Sequence, residues 1–396
     1  MKKKYNRIMM VVTDSLGIGG DVRQKEFGDE GANTLLHVSE NFQLEIPMWK
    51  KLGITSIAKI HNPGKISSQL AYTARVNEIS NGKDTLTGHW EMMGIETKHP
   101  FPVFTKNGFP IEMLDELAKV FDGRKIIGNI AESGTVIIDQ LAEEEINNNS
   151  IIIYTSADST LQICGHEKHM GLDNLYRYAQ AARDICSSRP EWNVGRVIAR
   201  PYIGSNGKWE RTFNRHDYAV EPPKNTILNR LHKEGVNVIS IGKIRDIFSN
   251  QGISKHYASG SDEKGMDILI DLAMKKTSNE FLFLNLVQFD SHYGHRRDVE
   301  GYGKNINQFD IKLSKLVNAM KEDDLLIITS DHGNDPTFKG SDHTRENLPA
   351  TIYSKSFIEP KKLPDFNGLA TLGNIVASNF EIDIANIGDD IFEKLK

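Results

Sequence analysis

The run Leu325-Leu326-Ile327-Ile328-Thr329 is apolar at successive positions rather than alternate ones, as expected of a parallel strand buried on both faces. Arg7 to Thr13, Val236 to Ile241 and Phe281 to Val287 have the same character. Helical patterns alternate with them, notably Gly265 to Met274 and Asn307 to Met320. Strands alternating with helices predict an α/β layer built on a mainly parallel sheet.

The middle of the chain is punctuated differently. His99-Pro100-Phe101-Pro102 breaks it once and Glu221-Pro222-Pro223-Lys224 breaks it again. Between the breaks the pattern predicts strands at Thr135 to Ile138 and Ser150 to Thr155, and a helix at Leu172 to Ile185. Asn147-Asn148-Asn149 reads as a turn before a strand. The expected organisation is a core of residues 1–99 and 222–396, with residues 100–221 inserted as an α/β cap domain. There is no internal repeat and no low-complexity tract.

Composition adds exclusions. The chain has 396 residues, 39% of them hydrophobic and 26% charged, which favours a large folded core over disorder. Its net charge of -5 without a basic stretch argues against nucleic acid as a partner. Met1-Lys2-Lys3-Lys4 precedes an apolar run, Ile8 to Val12, too short for a signal-peptide core. No stretch is long enough to span a bilayer. With only Cys164 and Cys186, two free thiols in a reducing cytoplasm is the simplest expectation. No obligate protein partner is evident.

The chemistry sits after the strands. Asp14 follows the first, and Ser15-Leu16-Gly17-Ile18-Gly19-Gly20 permits close backbone approach. Asp290 and His295 follow Phe281 to Val287. Asp331-His332-Gly333-Asn334-Asp335-Pro336 follows the last, and Ser341-Asp342-His343-Thr344-Arg345-Glu346 comes soon after. Ligands of α/β proteins usually bind at the carboxyl ends of parallel strands. Each histidine alone is more often a hydrogen-bonding residue than a ligand, and each Asp alone is commonly a cap. Together, three carboxylates and three imidazoles predict a two-metal site. Two divalent cations leave one positive charge uncompensated, which an alkoxide or a phosphate oxygen would neutralise.

A second motif is Gly82-Lys83-Asp84-Thr85-Leu86-Thr87-Gly88-His89-Trp90-Glu91. Asp84 or Thr85 can cap a helix there, and an anion is favoured at a helix N-terminus. A threonine hydroxyl holds its proton tightly, and coordination to divalent metals would favour its alkoxide. A capping threonine is the plain alternative.

These stretches, with Tyr154-Thr155-Ser156-Ala157-Asp158-Ser159, Gly195-Arg196-Val197-Ile198-Ala199-Arg200-Pro201, Asn214-Arg215-His216-Asp217-Tyr218 and Gly294-His295-Arg296-Arg297-Asp298, resemble the phosphopentomutase family of the alkaline phosphatase superfamily along nearly the whole chain. The resemblance implies an alkaline phosphatase-like core of mainly parallel sheet sandwiched by helices. It implies that Thr85, rather than Thr87, carries a phosphoryl group. Asp14, Asp331 and His332 would hold one metal and Asp290, His295 and His343 the other. The family normally uses manganese, although such ligands also suit zinc. His292 departs from the family pattern and is read as a non-ligand. Ser156, Asp158, Arg196, Arg211 and Lys243 would bind the sugar phosphate, the cations reading its distal phosphate. Thr160 stands where relatives often have an apolar residue. Arg200, His216 and Arg345 match family motifs without an assigned role.

The implied reaction is a ping-pong interconversion of ribose 1-phosphate and ribose 5-phosphate, and of the deoxyribose forms. It would pass through a pentose bisphosphate and be primed by a bisphosphorylated sugar such as glucose 1,6-bisphosphate. A cap closing over the metals would keep water out. The metal motifs alone would also suit a phosphatase or phosphodiesterase, which has no need of a second phosphate site. A cofactor-independent phosphoglycerate mutase would carry serine in place of Thr85. A non-catalytic sugar-phosphate sensor would need no activated hydroxyl.

Overall fold

A computed structural model describes residues 4–64, 69–156 and 159–396. The chain forms two compact units, one of Met1–Lys98 with Pro222–Lys396 and one of His99–Glu221.

The larger unit is built on an eight-stranded sheet, in the order Lys255–Tyr257, Asn237–Ile241, Glu280–Leu286, Arg7–Thr13, Asp324–Thr329, Leu348–Tyr353, Tyr72–Asn77 and Phe366–Asn367. All neighbours are parallel except Leu348–Tyr353, which runs against both of its own. Every residue of the strands Arg7–Thr13 and Asp324–Thr329 is buried. Both sheet faces are covered, which explains the unbroken apolar runs. Met9, Val11, Leu282, Leu284, Leu326 and Ile328 share one core with Leu269, Leu313 and Leu316 from the helices Asp262–Met274 and Val299–Ala319. On the opposite face Phe283 meets His89, from the helix Thr85–Met92, and Phe248. The helix that begins in the sequence pattern at Asn307 starts earlier, at Val299, because the Asp298 side chain accepts from the Gly301 N–H.

Register fixes where the chemistry emerges. Thr13 pairs with Leu286 and Val12 with Thr329, so three adjacent strands end at one sheet edge. The residues that follow them, Asp14, Val287 and Ser330, leave from that edge.

The smaller unit has its own mixed sheet, Ile126–Ala131, Ile151–Thr155, Thr160–His166, Arg196–Ser205 and Lys208–Arg211, with His216–Ala219 also paired to Arg196–Ser205. Helices Ile111–Ala118 and Leu172–Ser187 contribute to the core on one face, and Gly134–Asn147 to the core on the other. The strand expected at Thr135 to Ile138 is instead the first turn of that last helix. Its β-branched run favours a strand only weakly. Against it, the Ser133 side chain accepts from the Val136 N–H, and Ile137, Ile138, Ala142 and Glu145 are buried at helical spacing. The sheet's edge strand, Ile126–Ala131, was hidden by Gly128 and Asn129, whose φ values of 92° and 55° accompany a register shift.

Candidate active site

Four segments bring the predicted ligands together. Asp14 leaves its strand ahead of Ser15, which holds a left-handed φ of 72°. That conformation lets the Ser15 N–H donate to Asp331 Oδ1 at 3.1 Å, so two ligand loops are tied directly. Asp290 lies within a π-helical turn, Phe289–Gly294, and His295 directly follows it, its N–H donating to the Asp290 carbonyl at 3.0 Å. An α-helix would leave residues five apart about 140° apart around its axis, whereas the wider turn aligns them. His343 arrives on a segment bridged to the Asp331 loop through Gly333 and Thr344.

The resulting geometry is compact. Ligand atoms of Asp14, Asp331 and His332 all lie within 4.8 Å of one another, and so do those of Asp290, His332 and His343. His332 thus belongs to both groups, with its Nε2 3.4 Å from both Asp14 Oδ1 and Asp331 Oδ2. His295 Nε2 stands 3.1 Å from Asp290 Oδ2 and 3.0 Å from His343 Nε2. Thr85 opens the helix Thr85–Met92, and its Oγ1 is 3.2 Å from His332 Nε2. Thr87 is spent on the cap, since its N–H and hydroxyl both donate to Asp84, at 3.1 and 2.6 Å. Gly88 is required here, because a Cβ on it would lie 2.1 Å from the Asp331 carbonyl oxygen.

The electrostatics are unbalanced in the way a cation site needs. Asp14 Oδ1 is buried with no hydrogen-bond partner among the described residues. Asp331 Oδ2 is also buried, 3.1 Å from His89 Nδ1 but outside hydrogen-bond geometry. Burial, then Asp331 and Asp290, push the Asp14 carboxyl well above its ordinary range. Burial also works against charge on Asp331 and Asp290, but neighbouring histidines outweigh it. His332 and His89 hold Asp331 at about 2, and His343 and His295 hold Asp290 well below the usual range. Burying three carboxylates this closely is costly unless cations compensate them. Mixed carboxylate and imidazole donors fit divalent manganese or zinc.

Several supporting residues escaped the sequence reading. Asn285 donates to Asp14 Oδ2 at 2.9 Å and Asn334 to Asp290 Oδ1 at 2.8 Å. Arg297 in turn donates to Asn334 Oδ1 at 2.8 Å. His89 Nδ1 donates to the Thr85 carbonyl at 2.9 Å. Groups that orient ligands from behind in this way are typical of metal sites. Asn334, His89 and Arg297 lay inside motifs already noticed, whereas Asn285 looked like an interruption in an apolar strand.

The expected substrate residues are placed as follows. Lys243 is close enough for its charge to oppose the rise of Asp14. In the smaller unit Ser156 Oγ is 3.1 Å from Thr160 Oγ1. Asp158 lies outside the described residues. Arg196 approaches Asp217 at 3.7 Å, while Arg215 grips Asp217 with two bonds of 2.6 Å. Arg211 is exposed and opposite Tyr202 in register. Arg200 is turned to Gln162 Oε1, and His216 stacks near Tyr218 and Tyr176. His292 is bonded to its neighbour Ser291.

A mainly parallel α/β core with two groups of candidate metal ligands at its strand ends has the architecture of a metalloenzyme. Residues 6–384 match the family model for the metalloenzyme superfamily. A phosphopentomutase of Mycoplasmopsis pulmonis is 58% identical over all of both chains, and one of Clostridium tetani is 50% identical over 99% of this chain and 100% of its own. Among solved structures, the phosphoglycerate mutase of Leishmania mexicana has a TM-score of 0.49 at 11% identity, covering 96% of each chain. The chain belongs to the phosphopentomutases, a family of isomerases, within the metalloenzyme superfamily. Among the described residues, no helix is long and apolar enough to cross a membrane.

Proposed function

We propose that this chain interconverts ribose 1-phosphate and ribose 5-phosphate, with their 2-deoxy counterparts, through a phosphothreonine at Thr85 and a pentose bisphosphate. The observation that carries this reading is the position of Thr85 Oγ1, 3.2 Å from the histidine common to both ligand groups. Asp14, Asp331 and His332 would hold one divalent ion and Asp290, His295 and His343 another, with manganese as the proposed metal. When bound, such ions stabilise charge on the attacking and leaving oxygens of an in-line displacement.

The chain's own groups do the rest. Thr85 opens its helix, so unpaired backbone N–H groups face a phosphoryl group attached there. Asp84 holds Thr87 away from the reaction and fixes the first turn. Ser156, Asp158, Arg196, Arg211 and Lys243 are proposed to bind the sugar and its second phosphate. A bisphosphorylated sugar such as glucose 1,6-bisphosphate would prime the enzyme, and the reaction would link nucleoside breakdown to pentose phosphates. The buried free thiols of Cys164 and Cys186 support a reducing cytoplasm as its setting.

The test is conversion of ribose 1-phosphate to ribose 5-phosphate with manganese, with and without catalytic glucose 1,6-bisphosphate, while free phosphate is followed. Stimulated isomerisation with little phosphate release is the expected result. Phosphate release without isomerisation would make the protein a hydrolase.

A further inference from the structure

The segment Thr344-Arg345-Glu346 lies immediately beyond His343, and its neighbouring side chains serve different loops. Glu346 is buried between Gly17 and Gly333, where a Cβ on either would come within 2.4 Å of its carboxylate oxygens. Its carboxylate accepts from the Gly19 and Thr34 N–H groups, each at 2.9 Å, and from the Thr34 and Thr344 hydroxyls at 2.6 and 2.7 Å. It therefore fastens the loop after Asp14 and the start of the helix Thr34–Asn41 to the segment beyond His343, and packs against Gly333 of the loop after Asp331.

Arg345 serves the third loop. Its guanidinium is fully buried and donates to the carbonyls of Glu78, Ser80 and Gly82, the last two at 2.8 and 2.9 Å. These are alternate carbonyls of the strip that leads into Thr85. Glu78 Oε2 at 3.1 Å and Asp21 Oδ2 at 3.4 Å supply the countercharge. The Arg345 N–H donates to Asp29 Oδ2 at 2.8 Å, and the same carboxylate receives the Lys83 ammonium at 3.0 Å. Lys83 also pairs with Asp342 at 3.3 Å. The loop before Thr85 is thus joined to the loop carrying His343 at two places, by Arg345 and by Lys83.

The structure assigns Arg345 as a positioning residue for Thr85, acting with Lys83 to hold the threonine in register with His343. This rests on the role proposed above for Thr85. A hydroxyl misplaced by about 1 Å costs on the order of a hundredfold in rate. Lysine at position 345 keeps the charge but loses the fork that reaches three carbonyls.

The experiment measures kcat, KM, bound manganese and melting temperature for the wild type, Arg345→Lys, Lys83→Met and a control, Arg7→Lys. Arg7 is an equally buried arginine at the other end of the sheet. Arg345→Lys is expected to lower kcat by about 10–100-fold, with KM and metal content nearly unchanged. Lys83→Met should move kcat in the same direction by less, and Arg7→Lys should lower the melting temperature alone. Amide exchange of residues 78–84 in the metal-free protein is the second readout, and it should rise in Arg345→Lys and not in Arg7→Lys. A folded Arg345→Lys enzyme with kcat within threefold of wild type overturns the assignment. If that variant does not fold, an unchanged kcat in Lys83→Met overturns it. A wild type without mutase activity would instead sink the proposed function, and the exchange readout would still decide whether Arg345 holds the loop.

Discussion

The two ends of one strand pair carry buried charge in opposite ways. Where Arg7–Thr13 and Asp324–Thr329 begin, Arg7 faces Asp324 in register. Its guanidinium makes five bonds, two to Asp324 and three to the carbonyls of Leu272, Ala273 and Lys275. Where the same strands end, Asp14 and Asp331 place like charges together, and each keeps a buried oxygen without a hydrogen bond among the described residues. A charge that serves stability is surrounded until every donor is used. The open oxygens at the other end mark a place meant for something the chain does not itself provide.

That contrast can be broken by substitution. The largest effect is expected from Thr85→Ala, which should lower isomerisation by on the order of 10⁴-fold or more, with the melting temperature unchanged. Intact turnover in this variant would overturn the mechanism. Arg7→Met should do the reverse, leaving kcat alone and costing about 3–5 kcal/mol of stability because Asp324 is stranded. Urea denaturation beside steady-state kinetics separates the two.

A third buried carboxylate sharpens the comparison. Asp262 accepts from the Gln288 N–H and the Asn305 amide, at 3.0 and 2.9 Å, both neutral donors. Burial, against those donors, pushes its carboxyl from 3.8 up to about 6. The folded chain therefore keeps a proton that the unfolded chain releases first. The linked stability is present below about pH 4 and is lost as pH rises through about 6, a change of about 1–3 kcal/mol. Asp262→Asn should flatten that part of the denaturation profile, and a profile identical to wild type would refute the linkage. The smallest effect is expected from Asp14→Asn in the metal-free protein. Relief of repulsion from Asp331 and Asp290 should stabilise it by about 1 kcal/mol. In manganese the sign should reverse, since a proposed ligand is lost, and melts with chelator or with metal test both halves.

Much of this was legible in the chain because burial on both sheet faces writes long apolar runs. The strands Arg7–Thr13, Glu280–Leu286 and Asp324–Thr329 lie within a residue of their sequence limits. The candidate ligand residues stood out because Asp and His are conspicuous directly after such runs. What could not be read was set by tertiary contact. The β-branched start of Gly134–Asn147 resembles a strand until the face it buries is known. Arg345 looked like any motif arginine, since its carbonyl partners lie more than 260 residues away. The sharing of His332 between both ligand groups likewise depends on distances no spacing encodes.

The π-helical turn at Phe289–Gly294 has a consequence for how this enzyme can vary. Because its backbone closes over five residues, the interval from Asp290 to His295 works as a ruler, measured in length rather than in chemistry. Of the residues between them, the exposed His292 could be exchanged for many others, whereas Ser291 donates back to the Val287 carbonyl and Tyr293 packs against the core. Removing any one of them would narrow the turn to an ordinary helix and swing His295 away from Asp290. Drift in this stretch is therefore freer in spelling than in count.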